Sequence, residues 1–445
     1  PSPRWWTVEE ACIRHGPWRI MPAMSLQLDK TKLAEEALER FLRYVKVYTT
    51  SDRHSGTQPS SQRQFDLAGM LAEELRELGV EDVTLTDKCY VIARVPGNGG
   101  SSVPSIGFLA HVDTAPDLSG ENVTPQLWEE YDGSVIKLNG EHVLDPEEYP
   151  ALKEYVGDTL ITTDGTTLLG ADDKAGVAEI MTAVSYLMKH PEITRGDLEV
   201  VFTPDEEIGH GVDGLPIEEL NSPFCFTMDG GEEGTIEAEC FNAYSVRVTF
   251  NGYVIHPGSA KNKMANATAM AGRFLSMLPQ AESPEATEGR DGFYCPVEVR
   301  GDYGTAVVDL IVRDFEIEEV QRRLEYLRSL ARTVEHAFPR SSVILEEKKQ
   351  YLNMRDALKP HPFVMDFIQD AVSRTGLEPK LHAIRGGTDG ARLTEFGIPT
   401  PNIFAGGHNF HGRYEWIAKG ALGRATETIL HLVDIWQERA SEHFT

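Results

Sequence analysis

Residues 106–113 read Ile-Gly-Phe-Leu-Ala-His-Val-Asp, an apolar run of strand length that ends on two polar residues. At the two-residue period of a strand, His111 and Asp113 point to the same face. Open α/β sheets gather their ligands at the carboxyl ends of such buried strands. Outward from this stretch the texture repeats. Apolar runs at Tyr90–Val95, Leu198–Phe202 and Phe224–Met228 alternate with helical patterns: Leu38, Phe41, Leu42 and Val45; Leu67, Leu71, Leu75 and Leu78; and Lys174–Met188, stopped by Pro191. Short strands separated by helices predict an α/β fold with a mostly parallel sheet covered by helices on both faces.

Past about residue 240 the pattern changes to strand (Val246–Phe250), helix (Ala265–Leu278), strands (Val297–Arg300 and Ala306–Val312), helix (Val320–Val334) and strand (Val343–Leu345). That β-α-β-β-α-β order is the order of a ferredoxin-like α+β unit. After Asn353 the first texture returns, with a helix near Phe363–Val372, a strand near Asn402–Ala405 and a helix over Leu422–Trp436. The chain therefore divides into a large domain in two parts, 24–238 and 354–445, and an insert, 239–353. Residues 1–23 carry neither period and are expected to be a non-native or disordered leader.

Of the 445 residues, 42 are Lys or Arg and 70 are Asp or Glu, a net charge of −28, which argues against nucleic acid or an anionic membrane as the main partner. No apolar run reaches the roughly 18 residues of a membrane span. The five cysteines are scattered, without a CxxC, which disfavours a disulfide framework or a thiolate metal site and suits a reducing cytoplasm.

Four further motifs stand where the sheet rim should be: Leu169-Gly170-Ala171-Asp172-Asp173-Lys174 entering a helix, Thr203-Pro204-Asp205-Glu206-Glu207, Thr227-Met228-Asp229-Gly230, and His408-Asn409-Phe410-His411-Gly412. Each has a plain alternative: Asp172 and Asp173 as a helix cap, the acidic triplet as a solvated loop. Taken together, imidazole and carboxylate donors without thiolates suit a hydrolytic pair of divalent ions, with two cations nearly cancelled by three carboxylates and a hydroxide.

The stretches HVDTAPD, TTDGTTLLGADDKAGVAEI, FTPDEEIGHG, MDGG, IHPGSAKNKMANA, IRGGTDGA and HGRYEW resemble, in order, the motifs of the M20 metallopeptidase family, and in particular of its tripeptide-aminopeptidase branch. The resemblance spans about Leu33 to Trp436. It implies two Zn²⁺ per chain, with Co²⁺ or Mn²⁺ as substitutes. Asp172 would bridge them, His111 and Asp229 completing one ion and Glu207 and His411 the other. His411 is preferred to His408 because the family places a glutamate four residues after the ligand, here Glu415, and Asp172 to Asp173 because the bridging acid stands two before the lysine. A cis peptide after the bridging residue is also implied.

In the activity so implied, Glu206 is general base for a water shared by the ions, and Asp113 orients His111. The insert serves as a lid: His256 would donate to the oxyanion, and Asn266, Arg313 and Arg385 would contact substrate, Arg313 gripping a terminal carboxylate. Without the resemblance, His256 reads as a turn residue and Arg313 as a partner of Asp314 or Glu316. The expected substrates are small peptides, with a homodimer through the lid. The alternatives are another M20-type hydrolase, such as a dipeptidase, N-acyl amino-acid deacylase or carboxypeptidase, or a non-catalytic binding module on the same fold.

Overall fold

A computed structural model describes residues 26–100 and 103–444, so the expected leader and Cys12 lie outside the described residues. The strand that ends on His111 (Ile106–His111) is buried at every position and lies inside an eight-stranded sheet. From one edge the order is Asp82–Leu85, Val91–Val95, Leu198–Thr203, Ile106–His111, Cys225–Gly230, Asn402–Phe404, Thr235–Cys240 and Lys380–Ile384. The four strands from Leu198–Thr203 to Asn402–Phe404 run parallel. Val91–Val95 is antiparallel to its central neighbour, and Thr235–Cys240 is antiparallel to Asn402–Phe404. The sheet is thus mixed, with parallel pairing at its centre.

Alternation along the central strands explains the two covered faces. Phe108, Ala110, Val200 and Phe202 enter the main core, whereas Leu109 and Val201 enter a second cluster with Tyr90, Ile92, Val212 and Leu393. The main core lies under the helices Lys30–Tyr44, Ala171–Lys189, Pro362–Thr375 and Lys419–Arg439, which pack on one another. Asp29 caps the first of these by accepting from the Lys32 N–H, and its Leu33, Ala37, Phe41 and Tyr44 form the buried stripe. Three strands that were not expected, Asp82–Leu85, Thr235–Cys240 and Lys380–Ile384, carry polar residues on exposed or half-exposed positions at or near the sheet edges.

The chain leaves this sheet after Cys240 and forms a separate antiparallel sheet in the order Phe293–Gly301, Thr305–Asp314, Asn242–Asn251, Ser342–Tyr351. The helices Ala267–Ser276 and Ile317–Ala337 pack on it around Val248, Phe250, Phe274, Leu310 and Leu327. Numbered from its own first strand the order is 2-3-1-4, that of a ferredoxin-like unit. Its strands are longer than the apolar runs indicate because their outer faces carry charges that pair across strands, such as Arg247 with Asp309 at 2.7 Å.

Helix 171–189 approaches the sheet so closely that a Cβ on Gly176 would stand 2.0 Å from the Met228 carbonyl oxygen and 2.5 Å from Asp173 Oδ1. Gly176→Ala is expected to destabilise the large domain by about 1–3 kcal/mol, measured as an earlier transition in a denaturant titration. Gly272→Ala, in the exposed part of an insert helix where a Cβ meets nothing within 4 Å, should leave that transition unmoved.

Candidate metal centre

Four strand ends and one helix entry converge on the sheet rim. His111 closes its strand, and its Nε2 lies 2.9 Å from Asp172 Oδ1 and 3.7 Å from Asp229 Oδ1. His411, from the loop that joins the paired strands Gly407–His408 and Trp416–Ala418, places Nε2 3.2 Å from Asp172 Oδ2 and 3.1 Å from Glu207 Oε2. The two oxygens of Asp172 therefore face two different imidazoles. Ligand atoms of His111, Asp172 and Glu207 lie within 4.8 Å of one another, as do those of His111, Asp173 and Asp229.

The two adjacent aspartates differ in their partners. Asp173 accepts from the N–H of Gly176 at 3.2 Å, a cap bond, and from the N–H of His111 at 3.2 Å. Asp172, joined to it by a cis peptide, has only the imidazoles as side-chain partners among the described residues. Asp113 is fully buried; its Oδ1 is 3.3 Å from His111 Nδ1, and its two oxygens accept from the N–H groups of Glu206 (3.0 Å) and Glu207 (3.2 Å). Glu415 accepts from four successive N–H groups, Leu169 to Asp172, at 2.6–3.2 Å, tying the His411 loop to the helix entry. His411 and Asp205 both sit at positive φ, 63° and 57°, where a side chain costs about 1–2 kcal/mol.

Burial opposes ionisation of Asp172, yet the bonds to His111 and His411 outweigh it and hold its carboxyl below the usual range. Burial likewise opposes a charge on His111, and its bonds to Asp113 and Asp172 overcome it and raise the imidazole. His411 is raised to about 11 by Asp172 and Glu207. Burial pushes Glu206 and Asp229 well above the carboxylate range and Glu207 to about 7. The two imidazoles, both shifted toward their charged form, offset part of the acidic charge of this cluster. Divalent ions on the same atoms would supply the charge instead, and the donors fit: imidazole nitrogens, carboxylate oxygens, and a buried Glu207 Oε1 with no hydrogen-bond partner.

His408 stands apart, stacked on Trp416 with ring centroids 4.0 Å apart and Nε2 3.3 Å from the Tyr155 hydroxyl. In the insert, His256 is exposed and accepts from the Gly258 N–H at Nδ1, which leaves its proton on Nε2. Asn266 caps helix 267–276 by accepting from the Ala269 N–H. Among the described residues neither is bonded to the His111–His411 cluster. Arg313 has no carboxylate at ion-pair distance among the described residues: Asp314 pairs with Arg323 and Glu316 with Arg355, and the Arg313 guanidinium lies 5.3 Å from the Tyr351 ring. Arg385 donates to Thr287 and to the Asp291 carbonyl, over the ring of Phe293, the cross-strand partner of Arg313. Both guanidiniums thus stand over one end of the insert sheet. Gly387 packs beneath Tyr351, where a Cβ would come within 2.3 Å of the ring.

The model of the peptidase family M20/M25/M40 matches residues 163–435. A peptidase T from Geobacillus kaustophilus is 47% identical over 411 residues, covering 92% of this chain and all of the relative. Among solved structures, an aminopeptidase from Bacillus cereus superposes with a TM-score of 0.70 at 22% identity, over 91% of this chain and 98% of the other. A tripeptidase from Staphylococcus aureus gives 0.71 at 19%, over 91% and 99%.

Burial pushes the His408 imidazole down to about 4. The unfolded chain binds its proton near pH 6.5, so His408 costs nothing above that pH and destabilises the fold as pH falls toward 4, by up to about 1.4 kcal/mol per pH unit. His408→Phe should flatten the acid side of the stability curve by about one proton, measured by denaturation at stepped pH, while bound metal per chain stays as in the unaltered protein.

Proposed function

This chain belongs to the M20/M25/M40 peptidase family, and on that footing we propose that it is a metallo-aminopeptidase releasing the N-terminal residue of tripeptides. The observation that carries the reading is Asp172, whose two oxygens face His111 and His411 in a buried acidic rim. We assign His111, Asp172 and Asp229 to one divalent cation and Asp172, Glu207 and His411 to a second. Zn²⁺ suits these nitrogen and oxygen donors, with Co²⁺ or Mn²⁺ as substitutes. Bound by these residues, the ions would supply polarisation of the scissile carbonyl and acidification of a water.

Glu206 takes the proton from that water and delivers it to the departing peptide nitrogen. This role is supported by the N–H groups of Glu206 and Glu207, which bond the two oxygens of Asp113, and by burial, which shifts the Glu206 carboxyl toward binding a proton. Asp113 fixes the tautomer of His111 through Nδ1. The insert, assigned to 239–353 as a lid over the parts 24–238 and 354–445, carries the substrate contacts. His256 presents an Nε2–H for the tetrahedral oxyanion, Asn266 stands on the same insert, and Arg313 offers two parallel bonds to the peptide's terminal carboxylate. Arg385 stands beside it on the large domain. The insert's outer strand, Phe293–Gly301, is paired on one side only and exposes Val297 and Val299, a surface through which two copies would associate. The four described cysteines are free, as in a cytoplasmic protein, and among the described residues no helix is long and apolar enough to cross a membrane.

The purified protein should contain two metal ions per chain, cleave free tripeptides, lose that activity on chelation and regain it with Zn²⁺ or Co²⁺. N-blocked tripeptides and acyl amino acids should be inert; turnover of either with free tripeptides spared would replace this reading with a deacylase or carboxypeptidase. Glu206→Gln should lower kcat by about 10²- to 10⁴-fold with KM little changed.

A further inference from the structure

The carboxylate of Glu206 makes no hydrogen bond among the described residues, so its direction is inherited from the backbone of the turn that carries it. Asp113 holds that turn from one side through the N–H groups of Glu206 and Glu207. From the other side the turn is held through Asp205, which is 1% exposed. Asp205 Oδ2 accepts from the Ser60 N–H at 2.8 Å, and Oδ1 accepts from Ser60 Oγ at 2.5 Å and Gln64 Nε2 at 2.6 Å. Gln64 Oε1 accepts in return from the Asp205 N–H at 3.1 Å. Ser60 Oγ accepts from the Asp52 N–H at 2.9 Å, which commits its own proton to Asp205. Ser60 and Gln64 are themselves buried, on a segment some 140 positions away.

We propose that Ser60, Gln64 and Asp205 are positioning residues, a buried clamp that aims Glu206 at the reacting water and keeps Glu207 on its ion. This rests on the reading of Glu206 as proton carrier. The clamp holds Asp205 at positive φ, at the head of the turn whose next two residues are Glu206 and Glu207. It acts on two observables at once, because Glu206 and Glu207 are consecutive on one turn. Turnover should fall without a matching change in substrate affinity, and one of two ions should bind more weakly than the other.

The test is a cycle of Gln64→Glu, Asp205→Asn and the two combined, in the full-length protein loaded with Co²⁺, with Glu206→Gln alongside. Each single change sets like groups against each other and should cost about 10- to 100-fold in kcat, the usual scale for groups that orient a ligand. KM should stay within about threefold. Competition with a chelator should show one Co²⁺ weakened by a similar factor and the other unchanged. The combined variant exchanges amide and carboxylate and restores the donor–acceptor match between positions 64 and 205, with the Ser60 hydroxyl turned to accept from the amide at 205 and donate to the carboxylate at 64. It should recover kcat and both affinities to within about threefold. If it folds and remains as impaired as the singles, or if a folded single variant turns over and binds both ions as the unaltered protein does, the clamp is wrong. Where a single variant does not fold, the combined variant alone decides. An active Glu206→Gln, by contrast, would refute the base and leave the chelator arm to report on Glu207.

Discussion

Bringing many carboxyl groups into one buried rim is unfavourable unless each finds a proton, a donor or a cation, and the molecule is arranged around that requirement. Its acids fall into two sets by how they meet it. Glu415, Asp113, Asp173 and Asp205 are satisfied by main-chain N–H groups, and they hold loops together. Asp172, Glu207, Glu206 and Asp229 receive no N–H at all among the described residues and have only imidazoles nearby, or nothing. The first set is framework. The second is left with lone pairs turned inward, the condition under which cations bind and a proton acceptor stays reactive.

The insert is joined to this rim through a small polar knot. Asn353 Oδ1 accepts from the Cys240 N–H, Asn242 Oδ1 accepts from the Asn353 N–H, and the side chains of both donate to the Phe315 carbonyl. The two crossings between sheets are thereby bonded to each other at a short joint. Arg355, bonded to Glu239 and Glu316, adds a charged tie at the same place. Tyr351 and Gly387 pack together just above, and the joint thus lies next to the surface on which Arg313 rests.

Much of the rim was legible because its signal is local. An apolar strand stopped by His111 and Asp113, or by Asp229, marks its own end, and the ferredoxin-like order of the insert follows from periodicity alone. Periodicity alone left Asp172 and Asp173 alike, since both head the same helix; the family's spacing before Lys174 favoured Asp172, and it is Asp172 that faces His411, some 240 positions on, while Asp173 caps the helix. Ser60 and Gln64 gave no sign because a buried serine and glutamine look like any polar loop and helix start until their distant partner is placed. Arg385 was expected to face substrate, and its bonds to Thr287 and Asp291 show a second attachment between large domain and insert that no spacing reveals. The edge strands were missed for a related reason, since exposed polar positions blur the alternation on which strand recognition depends.

The strand Asn402–Phe404 lies between Cys225–Gly230 and Thr235–Cys240, so a segment from the last tenth of the chain fills a gap in the middle of the sheet. Helix 419–439 then packs on helix 30–44, closing the last element on one of the first. During translation the ribosome therefore releases the insert as a unit able to form its own core, while the surrounding sheet keeps an open slot until residues 402–404 emerge. Assembly of the acidic rim is postponed to the same moment, and a truncated polypeptide lacking its final stretch would expose an unfilled seam rather than a weakened enzyme.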